Sequence, residues 1–198
     1  MSDVRHQDVL AAYLERLKAA VDAMPLERIA AMGEILYRAY QHGQQVFIIG
    51  NGGSAATASH MACDLGMNTA APNRPRFRVS SLSDNMPLVS ALANDLGYER
   101  VFAEQLTNLA RPGDVLISIS GSGRSPNILE AMRYARERGA TNIALLGFDG
   151  GDAIELADEH VLVPSSEYGI VEDLHLVVDH MLTAYFKERL RAEEPPPR

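Results

Sequence analysis

Apolar positions in the first forty residues recur at helical spacing: Leu10, Tyr13, Leu14, Leu17 and Val21, then Ile29, Met32, Ile35, Leu36 and Ala39. Two helices are predicted between residues 3 and 42, with Pro25 placed where the second can begin, because the first helical position needs no backbone donor. From Gln44 the period changes. Short apolar runs bounded by turn residues follow at 45–49, 78–81, 114–119, 142–146 and 160–163. They lack the in-out alternation of a half-solvated strand, which is the pattern of strands covered on both faces in a parallel sheet. Helical patterns separate them, near 54–66, 86–110, 126–138, 151–157 and 169–192. Strand and helix in alternation predict an α/β fold, a three-layer doubly wound parallel sheet with the N-terminal helical pair packed outside it. A single domain over residues 1–192 is expected, with the charged, proline-rich "EEPPPR" at 193–198 as a frayed tail.

Composition narrows the function classes. A chain of 198 residues has room for one sizeable core, and 46% hydrophobic against 22% charged residues excludes a mainly disordered one. The single cysteine, Cys63, permits neither an intrachain disulfide nor a cysteine-based zinc site, and it reads as a small core residue. Eighteen basic residues against 26 acidic ones give a net charge of −8, which argues against a surface that tracks nucleic acid. The start, "MSDVRHQDVL", has no apolar leader, and no run has the length of a membrane span. A cytoplasmic setting without nucleic-acid or membrane partners is therefore expected, and an anionic small molecule would need a local binding device.

Two strand-to-helix loops supply such a device. Ligands of open α/β sheets bind beyond the carboxyl ends of strands. "GNGGSAAT" follows the first strand and "SISGSGRSPN" the third. Glycines let backbone N–H groups approach a ligand, helix N-termini favour an anion, and Ser54, Ser120, Ser122 and Ser125 add hydroxyl donors. Neither loop is a dinucleotide fingerprint, and there is no P-loop lysine-serine pair.

Behind the first loop, His60 and Asp64 are four residues apart, about 40° around a helix and roughly 6 Å along it, so both can meet one ion or one substrate. A second cluster, "VEDLHLVVDH", offers Glu172, His175 and His180. Glu172 and His180 are about 12 Å apart along a helix axis and 80° around it. Zinc ligands sit only about 2 Å from the metal. Either one of the two is not a ligand, or the site combines residues of two subunits. His175 points about 140° away from His180 and reads as packing or as a residue that supports the site from behind.

Taken together, "GNGGSAATASH", "ALANDLGYERVF", "GDVLISISGSGRSPNI", "GFDGG" and "VEDLHLVVDH" resemble the SIS (sugar isomerase) domain family, most closely its phosphoheptose isomerase branch, over almost the whole chain. The resemblance implies a flavodoxin-like sheet, a homotetramer with active sites where subunits meet, and an intramolecular oxidoreductase that converts sedoheptulose 7-phosphate to D-glycero-D-manno-heptose 7-phosphate. The implied substrate contacts fall on Asn51, Gly52 and Gly53 beside Ser54, on Asn94 and Asp95, and on Ser120, Gly121, Ser122 and Ser125, with Asp64 and Glu172 adjoining them. Metal positions fall on His60, Asp64, Glu172 and His180, with Asp64 as base and His180 as its acid/base partner. Histidine and carboxylate donors suit zinc among divalent ions. The chain departs from the branch at two of these places: Asp64 stands for a glutamate and Glu172 for a glutamine. Two other readings stand beside the isomerase. One is an SIS isomerase or epimerase for a different sugar phosphate, which those replacements favour. The other is a non-catalytic SIS protein that binds a sugar phosphate or accompanies a replication initiator, against which the presence of both His60 and His180 counts.

Overall fold

The computed structural model describes residues 6–192, so the tail at 193–198 lies outside the described residues. The five apolar runs form β1 (Gln45–Gly50), β2 (Arg78–Ser81), β3 (Val115–Ser120), β4 (Thr141–Leu146) and β5 (Glu159–Leu162). All pair in parallel, in the order β2-β1-β3-β4-β5. Alternate residues of the inner strands β1, β3 and β4 feed opposite cores. Val46 and Ile48, Ile117 and Ile119, and Ile143 and Leu145 face one side; Phe47, Ile49, Leu116, Ala144 and Leu146 face the other. With both faces covered, the inner strands β1, β3 and β4 are buried almost throughout and their runs stay apolar without alternation, whereas the edge strands β2 and β5 keep half-exposed polar positions.

The first core is closed by α2 (Leu26–Gln41), α3 (Gly53–Cys63) and α8 (Tyr168–Ala192), through Met32, Leu36, Met61, Val178 and Phe186. Outside them lies α1 (His6–Asp22), which buries only Ala20 and is tethered by Tyr13 donating to Asp173 at 2.6 Å and Arg16 paired with Glu167. The second core is closed by α5 (Ala103–Leu109), α6 (Pro126–Glu137) and α7 (Ala153–Leu156), with Leu106, Ile128, Met132 and Ala153 inward. α4 (Met86–Leu96) leans on this side and buries none of its residues fully.

Three expectations are corrected. The helix expected over 86–110 is broken: α4 stops at Leu96, Gly97 takes φ 96°, and a single 3₁₀ turn, Tyr98–Arg100, redirects the chain into α5. A glycine adopts that left-handed backbone at little cost, whereas a side chain would not. The helix expected over 54–66 leaves α geometry after Cys63 and continues as a π turn, Asp64–Asn68. Asp64 and Leu65 take the buried positions of that turn, and Cys63 is exposed instead of lying in the core.

β1 and β3 are neighbours, with Ile49 opposite Ser118 and Gly50 opposite Ile119. The chain leaves β1 toward β2 on one side and resumes at β3 on the other. This is where the strand order reverses, and the two serine-glycine loops leave the sheet there together.

Candidate active site

The β3–α6 loop is shaped by contacts to its own chain. Gly123 N donates to Ser120 Oγ at 3.1 Å, and Gly123 itself has φ 64° with the Gly150 carbonyl where a Cβ would sit. Only glycine fits there, so the loop docks on the Gly150–Gly151 turn. Arg124 locks the same contact through a bidentate pair with Asp149 at 2.8 and 2.6 Å. The Arg124 hydrogen bond, with help from Gly151 N, holds the exposed Asp149 carboxyl down at about 2. Ser125 starts α6 without spending its hydroxyl on a cap, which leaves that donor for a ligand.

The two loops are joined by an amide pair. Asn51 Nδ2 donates to Asn127 Oδ1 at 2.9 Å, Asn127 Nδ2 returns to Asn51 Oδ1 at 2.8 Å, and Tyr98 Oη donates to the same Asn51 oxygen at 2.9 Å. Between them opens a cleft of about 140 Å³ lined by Asn51, Ser54, Ile119, Ser120, Gly121, Ser122, Ser125, Tyr168 and Glu172. Among the described residues this lining holds no lysine or arginine, so an anion would be met by N–H and O–H groups. Glu172 stands at its edge on the first turns of α8. A Cβ on Gly53 would lie 2.5 Å from Glu172 Oε2, so the carboxylate rests against the N-terminal turn of α3. One of the two anion-favouring helix ends is thus already faced by the chain's own charge. Asn94 and Asp95, expected as substrate contacts, sit exposed on α4, where Asn94 donates to Asp95 at 2.8 Å, and neither lines this cleft.

Farther along the same two helices the chain gathers four donor groups. α3 and α8 run side by side, Gly53 against Glu172 and His60 against His180. His60 Nε2 is 3.2 Å from His180 Nε2, 3.7 Å from Asp64 Oδ2 and 4.0 Å from Asp179 Oδ2. Donor atoms of His60, Asp64, Asp179 and His180 all fall within 4.8 Å of one another, the kind of group that can hold a metal ion. Asn68, one turn on in the π segment, donates to Asp64 Oδ1 at 2.7 Å and turns Oδ2 toward the histidines. Asp64 is the first residue of that π turn and continues the buried stripe that Thr57, Ala58 and Met61 form along α3.

Asp179 is 0% exposed, and no hydrogen bond of ordinary geometry reaches either of its oxygens; the Thr183 hydroxyl, one turn on, lies near without making one. Burial first, and the Asp64 charge second, push its carboxyl up to about 7. A cation among these groups would offset that cost. The spacing suits one: the edge of a tetrahedron with arms of about 2.0–2.1 Å is about 3.3 Å, close to the separation of the two imidazole nitrogens. Glu172, expected among the ligands, is not one of the four. Asp179 was missed by sequence reasoning. Its signal was there, since an aspartate in "LVVDH" stands one turn from His175 on the buried stripe of α8. His175 itself is fully buried, its Nε2 donating to the Leu146 carbonyl at 3.2 Å, and burial lowers its pKa to about 4.

A parallel β2-β1-β3-β4-β5 sheet, carrying two stapled serine-glycine loops at its switch point, defines the class: an α/β protein built to take a small phosphorylated ligand. The chain belongs to the SIS domain family, whose model matches residues 8–147. It is 39% identical over 178 residues to a phosphoheptose isomerase of a Bradyrhizobium species, covering 87% of this chain and 89% of that one. It is 40% identical over 171 residues to the phosphoheptose isomerase of Mycobacterium tuberculosis, with 86% and 87% covered. The structure of phosphoheptose isomerase from Neisseria gonorrhoeae superposes with a TM-score of 0.86 at 28% identity, over 93% of this chain and all of that one.

Proposed function

We propose that the chain is an aldose-ketose isomerase that interconverts sedoheptulose 7-phosphate and D-glycero-D-manno-heptose 7-phosphate. The observation that carries this reading is the pairing, along α3 and α8, of a serine-lined anion cleft with a carboxylate-histidine group suited to moving protons. Seven residues of α3, about 10 Å of rise, separate Gly53 from His60. An extended seven-carbon sugar phosphate covers such a span, with its phosphate in the cleft and its first two carbons at the far end.

Ser120, Ser122 and Ser125, with the N-terminus of α6, take the phosphate. Glu172 accepts hydrogen bonds from sugar hydroxyls, a task its charge suits better than phosphate binding. Asp64 carries the proton between carbons 1 and 2, and Asn68 holds its carboxylate for that transfer. His180 moves the proton between the two oxygens. A divalent cation, for which the donor set suits zinc, would supply Lewis-acid stabilisation of the negative charge on the oxygens of the reacting carbons. His60, Asp64 and His180 would hold it.

The protein assembles as a homo-oligomer, the tetramer that the family resemblance implies. Supporting this, α1 leaves Val9, Leu10 and Leu14 exposed, and α4 does the same with Met86, Leu88 and Leu96. Among the described residues no helix is long and apolar enough to cross a membrane. The test incubates zinc-loaded protein with five- to seven-carbon ketose and aldose phosphates and follows interconversion by NMR. Turnover of the seven-carbon pair supports the reading; turnover of none moves it to a sugar-phosphate-binding protein.

A further inference from the structure

The four clustered donor groups belong to one chain, and Asp179 is the one that no expectation covered. We propose that Asp179 is the fourth ligand of the cation in the place expected for Glu172, so that a single protomer holds the ion and Glu172 is left to the sugar. The inference rests on the reading above that His60, Asp64 and His180 hold a divalent cation.

Three observations lead to it. Asp179 is completely buried with both carboxylate oxygens unpartnered, a placement that costs stability unless something positive faces it. The groups that do face it are His60 at 4.0 Å, the Asp64 carboxylate and the Thr183 hydroxyl, with His180 next in sequence. None of these is a fixed cation, whereas two carboxylates and two imidazoles offer the mixed N and O donors that a divalent ion takes. Glu172, by contrast, is held against Gly53. Eight residues of α8, about 12 Å of rise, separate it from His180, far beyond the roughly 2 Å reach of a ligand bond. The clash between Glu172 and His180 on one helix, which a second subunit would otherwise have to resolve, disappears when Asp179 takes the position.

The experiment titrates zinc and cobalt into the metal-free full chain by calorimetry and records the visible spectrum of the cobalt form. Wild type, Asp179→Asn and Glu172→Gln are compared. Asp179→Asn should lose at least about 100-fold in zinc affinity and change the cobalt spectrum, a loss at the upper end of what even supporting residues of metal sites show. Glu172→Gln should stay within about threefold of wild type, with the cobalt spectrum unchanged. Melting with and without zinc gives a second readout: the rise in melting temperature that zinc gives wild type should be lost in Asp179→Asn. A merely structural Asp179, bonded to Thr183, predicts a lowered melting temperature and unchanged zinc affinity, and would overturn the proposal. So would a large loss of affinity in Glu172→Gln, even if the Asp179 variant failed to fold, since it would return the ligand position to Glu172. If wild type takes up neither metal, the cation reading itself falls, an outcome distinct from the other two.

Discussion

Replacing Gly53 with alanine places a methyl group where the Glu172 carboxyl group rests. The new Cβ would lie 2.5 Å from Oε2 and 2.6 Å from Oε1 and the carboxyl carbon, about 1 Å inside ordinary contact distance. The backbone is no obstacle, because Gly53 is not in the left-handed region. Alanine is in fact better in a helix than glycine by up to about 1 kcal/mol. Stability should therefore change by less than about 1 kcal/mol while Glu172 is driven from its place. A misplacement of about 1 Å in a group that positions substrate costs on the order of 10²-fold in rate. At 1.36 kcal/mol per decade, that is roughly 2.7 kcal/mol of lost transition-state stabilisation. The assay is kcat/KM for sedoheptulose 7-phosphate, with urea unfolding alongside, for Gly53→Ala in the wild-type and Glu172→Ala backgrounds. The penalty should largely vanish in the second background, where no carboxyl group remains to be displaced. An unchanged kcat/KM, or an equal loss in both backgrounds, would refute the placement of Glu172 as a substrate group.

Other expectations follow from the same geometry. Mixing unfolded His60→Ala and His180→Ala chains and refolding them together should restore no activity, because the two histidines meet at 3.2 Å within one chain; partial recovery would mean a site shared between subunits. His175 is buried with its pKa depressed to about 4, so below the ordinary value near 6.5 the unfolded chain takes the proton first. The stability it contributes is complete above pH 6.5 and is lost as pH falls toward 4, by up to about 3 kcal/mol, and His175→Gln should show a correspondingly flatter acid limb in urea unfolding between pH 7 and 4. Asp149→Ala releases Arg124 and loosens the docked β3–α6 loop; because the pair is exposed, thermal unfolding should hardly change, while KM for the sugar phosphate rises several-fold.

The inner strands β1, β3 and β4 were legible nearly to the residue because burial on both faces leaves an almost uninterrupted apolar run, while the edge strands β2 and β5 showed through their place between turns and helices. The paired serine-glycine loops were legible for a related reason, since close backbone approach and free hydroxyls restrict residue choice. Gly97 was not, because one glycine inside an apolar helical stretch satisfies the periodicity equally well whether the helix continues or turns. Residue type alone placed Cys63 in the core, whereas the buried stripe of α3 runs from Thr57, Ala58 and Met61 to Asp64 and Leu65 and leaves Cys63 on the outer face. His60, Asp64 and His180 could be picked out as chemistry-bearing types at workable spacing. Asp179 needed a different question, namely why a carboxylate stands on the stripe defined by Val171, Leu174, Val178 and Leu182, all of them buried.

The central claim is that this chain moves a proton between adjacent carbons of a seven-carbon sugar phosphate, and solvent exchange tests it most directly. Zinc-saturated protein and sedoheptulose 7-phosphate are incubated in D2O and followed by proton NMR. The account predicts an equilibrium mixture with the heptose 7-phosphate, deuterium entering at carbon 2 of the aldose, and neither event with Asp64→Asn. A seven-carbon substrate that binds yet neither isomerises nor exchanges, or an Asp64→Asn variant as active as wild type, would contradict it.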